Sequence, residues 1–524
     1  MNNRSFGALG NSALAVVMFA AIPLWFVMLK SSELGWDQWQ QLWSSRLPEL
    51  LWNTLSLAVL VTIICFILGV SAAWWIARFE FPGRRYAIWL MVLPLTIPTY
   101  VFAHIYTTLF ESDGWIGLAW TGIFGDSIPT PDIYNIFGAT LTLSLAGFSY
   151  VFLMAHAALS VSTQTLEEAA RIQGAGKWQV FLRVNLPLLR PAIAAGLAVV
   201  ILHVLSDFGA VSMLHYQTFT LSIYLQMSGR FDYQSAAGLS LILVFLSLTF
   251  LVLERFFRAR QRYYTSRQTR QHQRRPVTPF VTAMIWLWLG FITFMAFLLP
   301  LAWMMSWSWE AWIHDVINQK FWQYAYNSLL LALLCATLAI ICSLPIALFN
   351  NRQRSRYSGA LIQISSVGFV LPGPVVALGI LSFVLALLPF LYGSLFALLI
   401  ALVIRFLPLS VQSQDASMQQ LTPSIEQAGR ILGATPLENL RRVILPMISG
   451  GIASAWVLVF IDTLKELPAT LILRPTGFDT LPVRIWIEAS EEMLELAAPA
   501  ALMLVIGTLP VLWIMMKNET KYAS

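Results

Sequence analysis

Two pairs of ionisable residues stand inside apolar sequence, and both pairs have the same spacing. His203 and Asp207 are four positions apart, as are Asp462 and Glu466. On a continuous helix that spacing puts both members of a pair on one face. A charged group within hydrocarbon costs a few kcal/mol or more, so such residues default to a function. Three carboxylates and an imidazole on two facing helices would line a polar passage. Hard carboxylate oxygens suit a hard cation, which makes Asp207 and Glu466 candidates for transient metal contact. Blander readings stay open. Asp207 and Glu466 would be merely hydrated near the outer ends of their helices, Glu466 would pair with Lys465 or Arg474, and His203 would be simply packed or hydrogen-bonded. His104 and Tyr106 are further candidates, in a run broken by Pro94 and Pro98. Together with Pro372 and Pro374, those prolines would kink helices and free backbone carbonyls, for a passage or for packing alone.

The elements that position these residues are membrane helices. Of the 524 residues, 58% are hydrophobic and 11% charged, against about 25% charged in soluble domains. Apolar runs such as Asn11–Leu29, Leu50–Ala77 and Ala87–Phe110 are long enough to cross ~30 Å of hydrocarbon. The others are Ile136–Ala158, Leu188–Phe208, Ala236–Phe257, Phe280–Trp303, Tyr326–Phe349, Ala360–Leu385, Ser394–Val411, Met447–Lys465 and Leu494–Met516. In lipid, runs this long and unalternating must be helices, and they number about twelve. The first reads as an uncleaved span, being longer than a signal-peptide core. The cysteines, Cys65, Cys335 and Cys342, lie in apolar runs without pairing or metal-ligand spacing and read as small buried residues.

Most of the 32 Lys and Arg residues fall in alternate loops. Arg78, Arg84 and Arg85 mark one such loop, and Arg171, Lys177, Arg183 and Arg190 another. Arg352, Arg354 and Arg356, then Arg430, Arg441 and Arg442, follow the same alternation. By the bias of cytoplasmic loops toward basic residues, both termini are expected in the cytoplasm. Arg258–Pro276 is the one linker-like stretch, with seven Arg and no acid. Between membrane segments it reads as a cytoplasmic strap against anionic lipid, rather than a nucleic-acid contact.

The chain also repeats itself. Glu167-Glu168-Ala169-Ala170-Arg171-Ile172-Gln173-Gly174 aligns with Glu426-Gln427-Ala428-Gly429-Arg430-Ile431-Leu432-Gly433, at an offset of 259 (426 minus 167). Leu186-Pro187 and Leu445-Pro446 follow at matching places. The same offset pairs Asp207 with Glu466 and Phe219 with Phe478. Upstream, Asn53-Thr54-Leu55 resembles Asn327-Ser328-Leu329, and Leu93-Pro94 resembles Leu371-Pro372, so loop lengths have diverged. An even number of spans per half makes the repeat parallel, with a passage between the halves. In each repeated loop a capping box, Thr165-x-x-Glu168 or Ser424-x-x-Gln427, opens a short helix. Gly174 and Gly433 sit where a left-handed residue would end it. A second short helix then starts, at Thr435-Pro436-Leu437-Glu438 in one loop and with Gly176 and Gln179 in weaker versions of those parts in the other. The product is a two-helix elbow, rigid enough to transmit force.

The pattern Glu168-Ala169-Ala170, Gly174, Val184-x-Leu186-Pro187 resembles the EAA loop of binding-protein-dependent ABC importer permeases. The second copy departs from it, with Glu-Gln-Ala-Gly for Glu-Glu-Ala-Ala. The resemblance implies a type I importer transmembrane fold in two parallel six-helix repeats. It implies a first transmembrane domain over residues 1–257 with its loop at 165–187, a linker at 258–278, and a second domain over 279–524 with its loop at 424–446. It implies that Glu167, Glu168, Ala169, Ala170, Arg171 and Gly174, with Glu426, Ala428, Arg430 and Gly433, dock two copies of a separate ATPase. That ATPase would use ATP and magnesium, and this chain would bind no cofactor; it carries no phosphate-binding Gly-x-x-x-x-Gly-Lys-[Ser/Thr] loop. Lys465-Glu466-Leu467-Pro468-Ala469-Thr470, Leu93-Pro94-Leu95-Thr96-Ile97-Pro98 and Ser206-Asp207-Phe208-Gly209 are similar to the fused ferric iron permeases of the Fbp/Sfu/Afu type. This implies ferric iron delivered by a periplasmic binding protein across a bacterial inner membrane, with thiamine as the alternative solute. Rival readings are an ion-coupled secondary transporter and a membrane-embedded enzyme. The paired loops speak against the first, and the lack of a nucleophile–base set against the second.

Overall fold

A computed structural model describes residues 3–125, 127–160, 170–259, 275–352, 356–365, 368, 371–419, 431 and 433–523. Seven of its helices are long and apolar enough to cross a membrane. Three helix pairs bent at a short break are each a broken span or a re-entrant loop, and two shorter apolar helices are Gly373–Leu387 and Leu494–Pro510. Each corresponds to an apolar run of the sequence, so the protein is an all-α polytopic membrane protein. Among the described residues, β-structure is confined to a two-stranded parallel ladder of β1 (Phe79–Glu80) with β2 (Arg275–Pro276).

The first half contains α1 (Asn3–Ala20), α2 (Ile22–Ser32), α3 (Leu47–Arg78), α4 (Arg84–Val92), α5 (Thr99–Phe110), α6 (Ile136–Ser160), α7 (Leu186–Ser206), α8 (Gly209–Met213), α9 (Phe219–Ser228) and α10 (Tyr233–Ala259). The second contains α11 (Pro279–Thr293), α12 (Leu299–Ile313), α13 (Gln319–Arg352), α14 (Gly373–Leu387), α15 (Leu395–Met418), α16 (Ser449–Leu464), α17 (Pro468–Leu473), α18 (Leu481–Ser490) and α19 (Leu494–Ala523). Lipid tails are as apolar as leucine, so helices associate here through close packing and interhelical hydrogen bonds. At Gly69 in α3, a Cβ would lie 2.8 Å from the Phe148 carbonyl oxygen of α6; at Gly196 in α7, one would lie 3.0 Å from the Val151 Cα. These two glycines let α3, α6 and α7 close into a trio. The corresponding trio, α13, α15 and α16, uses polar contacts as well: Ser343 Oγ and Ser410 Oγ are 2.6 Å apart, and Gln414 Nε2 donates to the Ile340 carbonyl at 3.3 Å.

Each half lends its first crossing to the other. The Pro23 backbone of α2 seats against Gly379 of α14, and Phe26 meets Phe383 edge-on with ring centroids 5.4 Å apart. Reciprocally, Trp288 Nε1 of α11 donates to Ser71 Oγ of α3 at 3.0 Å, and Trp286 Nε1 donates to the Pro82 carbonyl at 3.0 Å. The β1–β2 ladder fastens the end of the basic linker to the first half; residues 260–274 of that linker lie outside the described residues.

The proline-rich run Ala87–Phe110 is not one kinked span. It divides into α4, a 3₁₀ turn (Leu93–Thr96) and α5, with a 92° bend between Arg84–Thr96 and Thr99–Phe124. Pro98 precedes α5 at φ −63°, ψ 151°, and Pro372 precedes α14 at φ −57°, ψ 151°. The structural counterpart of Pro372 is therefore Pro98, not Pro94. Their offset of 274 (372 minus 98) is the one that separates Asn53 from Asn327. Those asparagines also play one part: Asn53 Nδ2 donates to the Gln217 carbonyl at 3.0 Å, and Asn327 Nδ2 to the Asp479 carbonyl at 2.9 Å. The next residue along accepts from the first N–H of a short helix, Thr54 from Phe219 and Ser328 from Leu481. Phe219 thus corresponds to Leu481 rather than Phe478, because the second half holds three more residues before α18.

Candidate functional site

The repeated loops fold as elbows wherever they are described. In the first, the Gly174 N–H donates to the Arg171 carbonyl at 2.9 Å, and the Ala175 N–H to the Ala170 carbonyl at 3.0 Å. This is a Schellman helix end, and it needs the left-handed residue that glycine supplies: φ is +84° at Gly174 and +86° at Gly433. The next helix starts with a capping contact, from the Gly176 N–H to Gln179 Oε1 at 3.2 Å. The second elbow has the complete box. Thr435 N–H and Oγ1 both donate to Glu438 Oε2, at 2.9 and 3.0 Å, and the Glu438 N–H returns to Thr435 Oγ1 at 3.3 Å. The Thr435 N–H, and after it the hydroxyl, hold the Glu438 carboxyl below the usual glutamate range.

Each elbow passes into the following span through a π-helical turn, Phe181–Asn185 in the first half and Leu440–Ile444 in the second. Pro187 and Pro446 lie just beyond, where the missing N–H and the ring break the regular ladder. In the second half the path between Leu437–Met447 and Ser449–Leu464 bends by 72°. Of the expected docking residues, Ala170, Arg171, Gly174 and Gly433 are described, with Arg171 exposed. Glu167, Glu168, Ala169, Glu426, Ala428 and Arg430 lie outside the described residues. Beside the two glycines stand repeat-related isoleucines that sequence reasoning passed over: Ile172 is 87% exposed and Ile431 85%. Two large apolar side chains left in the open at matching positions of a polar loop were the available signal.

Asp207 and Glu466 are also repeat mates in the structure, but as helix caps. α7 ends at Ser206 and Asp207 is extended (ψ 129°), so His203 and Asp207 do not share a helix face. Asp207 Oδ1 accepts from the N–H groups of Ala210 (3.0 Å) and Val211 (3.3 Å), opening α8, and Thr99 Oγ1 donates to Oδ2 at 2.5 Å. Glu466 accepts from Ala469 N–H, Thr470 N–H and Thr470 Oγ1, at 3.0, 3.0 and 2.9 Å, opening α17. Both carboxylates are buried, and each accepts from backbone N–H groups that would otherwise be orphaned at the start of a short helix, with a threonine hydroxyl beside them. Neither bland expectation for Glu466 holds. Arg474 binds Asp479, Lys465 Nζ donates to the Leu95 carbonyl at 3.0 Å, and the cation beside Glu466 is Arg405, at 3.8 Å. Among the described residues, no group of three His, Cys, Asp or Glu side chains is placed to hold a metal ion.

His203 and Asp462, from different halves, share Tyr150 as a neighbour, in ring contact with the first and within electrostatic reach of the second. The His203 ring lies 5.8 Å from that of Tyr150, within Coulombic reach of Lys465 and Arg405, and Tyr150 in turn faces Asp462. His203 is exposed, and Leu95, Tyr150, Arg405, Asp462 and Lys465 are each partly so. First-half and second-half polar residues thus lie near one another here, joined by the Lys465 hydrogen bond to Leu95. His104 and Tyr106 belong elsewhere. His104 packs edge-on against Trp303, with ring centroids 5.4 Å apart, and Tyr106 Oη donates to the Met295 carbonyl at 2.7 Å.

Two similar halves with paired elbows are the architecture of a transport permease, and the chain belongs to the binding-protein-dependent transport system inner membrane component family, whose model matches residues 66–263. It is the membrane permease of an ABC importer, with two halves fused in one chain. Over 491 residues, 93% of this chain and 93% of the relative, it is 30% identical to the Fe(3+)-transport system permease protein FbpB 2 of Haemophilus influenzae. Over 251 residues, 47% of this chain and 88% of the relative, it is 28% identical to the sulfate transport system permease protein CysT of Escherichia coli. A crystal structure of a bacterial alginate ABC transporter, in complex with an alginate pentasaccharide-bound periplasmic protein, matches 45% of this chain and 88% of its own, at 21% identity and a TM-score of 0.40.

Proposed function

We propose that this permease imports ferric iron, handed to it by a periplasmic binding protein and driven by two copies of a separate ATPase that uses ATP and magnesium. The observation that carries the iron reading is the 30% identity to an Fe(3+) permease along 93% of both chains, which takes in both halves. The chain divides as a first transmembrane domain over 1–257, a linker over 258–278 and a second domain over 279–524, in a bacterial inner membrane with both termini cytoplasmic. The elbows at 165–187 and 424–446 receive the ATPases. Glu167, Glu168, Ala169, Ala170, Arg171 and Gly174, with Glu426, Ala428, Arg430 and Gly433, form the docking segments, and Ile172 and Ile431 add an apolar knob to each. Left-handed glycine ends and capped second helices make each elbow stiff, so that closure of an ATPase dimer would rock the halves and turn the space around His203 and Asp462 from one face of the membrane to the other. Asp207 and Glu466 shape that space by holding α8 and α17 in place rather than by gripping metal.

The test is uptake by proteoliposomes holding the full chain, its ATPase and candidate loaded binding proteins. ATP-dependent accumulation of iron, with none of thiamine or sulfate, is the expected result. ATP-driven uptake of thiamine or sulfate without iron overturns the substrate. Uptake that survives ATP depletion and collapses with the proton gradient overturns the coupling.

A further inference from the structure

We propose that the helix Trp36–Ser45 is a lipid anchor, lying in the headgroup layer of the membrane face opposite the elbows with Trp36 and Trp43 turned into the lipid. Nothing in this depends on the cargo. No span accounts for this helix: it sits between α2, which ends at Ser32, and α3, which begins at Leu47. At about 100° per residue, Trp36, Trp39, Leu42 and Trp43 fall within an arc of roughly 120°, and Asp37, Gln40, Gln41, Ser44 and Ser45 take much of the rest. Only one edge of the apolar arc meets protein. Leu42 is buried, and Trp39 packs with Leu34 against Gly238 of α10. On the other edge Trp36 is 81% exposed and Trp43 63%.

Two open tryptophans could also await a protein, and depth decides between the occupants. The far end of α3 lies by the first elbow, where Arg78 Nη2 donates to Asn185 Oδ1 at 3.0 Å, so Leu47 marks the opposite face. Along α3 the exposed apolar residues Trp52, Val59, Ile63 and Ile67 make one stripe, the side a span turns to lipid. At the offset of 274 the stripe recurs on α13, with Tyr326, Leu333 and Ile341 in the places of Trp52, Val59 and Ile67. Trp52 is 74% exposed and Tyr326 64%, and open aromatic residues topping a lipid-facing stripe mark the headgroup level. From Trp52 to Trp75 the rise along α3 is roughly 35 Å, close to the ~30 Å of hydrocarbon, so the two tryptophans bracket the apolar layer. Leu47 stands roughly 8 Å beyond Trp52 along α3, and less if α3 tilts, while each headgroup layer is roughly 5–8 Å thick. The short helix, joined to α3 through Arg46, is therefore held at headgroup level, where its open apolar edge continues the stripe of α3. Its charge selects the lipid. Lys30 pairs with Glu33 at 2.9 Å, and Asp37 and Glu49 outnumber Arg46, so there is no basic patch for anionic lipid and the fit is to neutral, zwitterionic headgroups.

Nitroxide labels on the full-length chain in phosphatidylcholine vesicles test the placement. Cys65, Cys335 and Cys342 are replaced by alanine, and single labels are attached after Trp43→Cys, Gln41→Cys or Val59→Cys. The label at 43 is expected to be severalfold better shielded from a water-soluble nickel chelate than the label at 41, and to lie shallower than the label at 59. A label at 43 as open to the chelate as that at 41 overturns the proposal. Shielding that appears only when a loaded binding protein is added makes this a protein-docking face instead, and spin–spin broadening makes it a contact between copies; either overturns the lipid assignment. A second measurement keeps the native cysteines. Trp36→Ser with Trp43→Ser removes two side chains that pack little within the protein, so lipid contact is the main thing lost. Amide protection across residues 36–45 is expected to fall roughly tenfold in vesicles, with thermal melting unchanged. Wild-type protection in that double variant overturns the anchor. Adding phosphatidylglycerol should change neither readout, and shielding that requires it overturns the neutral-headgroup assignment. Neither measurement involves uptake, so failure here leaves the iron reading untouched.

Discussion

The turns after α7 and α16 each end a span and open a short helix on a carboxylate cap, and they solve the problem of charge differently. In the first half, Asp207 caps α8 and its second oxygen is met by Thr99, a neutral hydroxyl. In the second half, Gly373 stands where Thr99 would, and the Arg405 guanidinium fills the room that the missing side chain leaves. The shared part is what any chain must do when it stops a helix inside a membrane, because orphaned N–H groups have no water to turn to. The divergent part is what the shape does not require. Similarity between the repeats marks what the backbone requires here, and dissimilarity marks what it leaves free to vary.

Removing the two carboxylates is the harshest break in this comparison. Glu466→Ala strips a cap and leaves Arg405 without its nearest acid, so a loss of about 3–5 kcal/mol is expected. Asp207→Ala loses a cap and the hydrogen bond from the Thr99 hydroxyl, with no cation left behind, about 1–2 kcal/mol. Denaturant unfolding in detergent measures both, and equal losses would erase the asymmetry. Exchanging the neutral partners is gentler. Gly373→Thr forces side-chain atoms into Arg405 and Pro468 and should cost about 1–3 kcal/mol, while Thr99→Gly should cost about 1 kcal/mol through the lost hydrogen bond. A stabilised Gly373→Thr would show that Arg405 does not occupy that room.

The elbows offer the smaller effects. Gly174→Ala and Gly433→Ala should each cost about 1–2 kcal/mol locally, the penalty of a side chain in the left-handed region, read as faster amide exchange around the substituted turn. Unequal responses would mean that only one elbow keeps this helix end in solution. Among the described elbow caps, the one in the second elbow should sense pH. Glu438 is held below its ordinary range, so its cap is present above the ordinary value of 4.5 and fades as pH falls through the lowered one. Protection of the amides at residues 435–439, relative to the intrinsic exchange rate at each pH, should fall on acidification in wild type and not in E438Q, while that of residues 176–180, capped by Gln179, stays unchanged.

Much of this was legible in sequence because it depends on local rules. Apolar length marked the spans, and the glycines, Thr435-Pro436 and Leu-Pro pairs marked the elbows at the positions where they fold. What depended on tertiary contact was not. Leu93-Pro94 matched Leu371-Pro372 by letter, yet the extended residue before each re-entrant helix is Pro98 or Pro372. The spacing of His203 and Asp207 implied one face only if the helix ran on; the Asp-Phe-Gly and Glu-Leu-Pro sequences after the two spans were the signs that it stops. Arg405 stood alone in an apolar run, and nothing local said that it would reach Glu466. The reciprocal loan of α2 and α11 rests on surface fit between distant segments, to which periodicity is blind.

Docking through both elbows is tested most directly by charge reversal where their first helices should meet the ATPase. Full-length chain carrying Glu167→Lys and Glu426→Lys together is reconstituted with the ATPase and a loaded iron-binding protein, beside wild type. Normal insertion, loss of ATPase co-purification and abolished ATP-dependent iron uptake are the expected results. Undiminished co-purification with wild-type uptake would contradict docking through these two elbows.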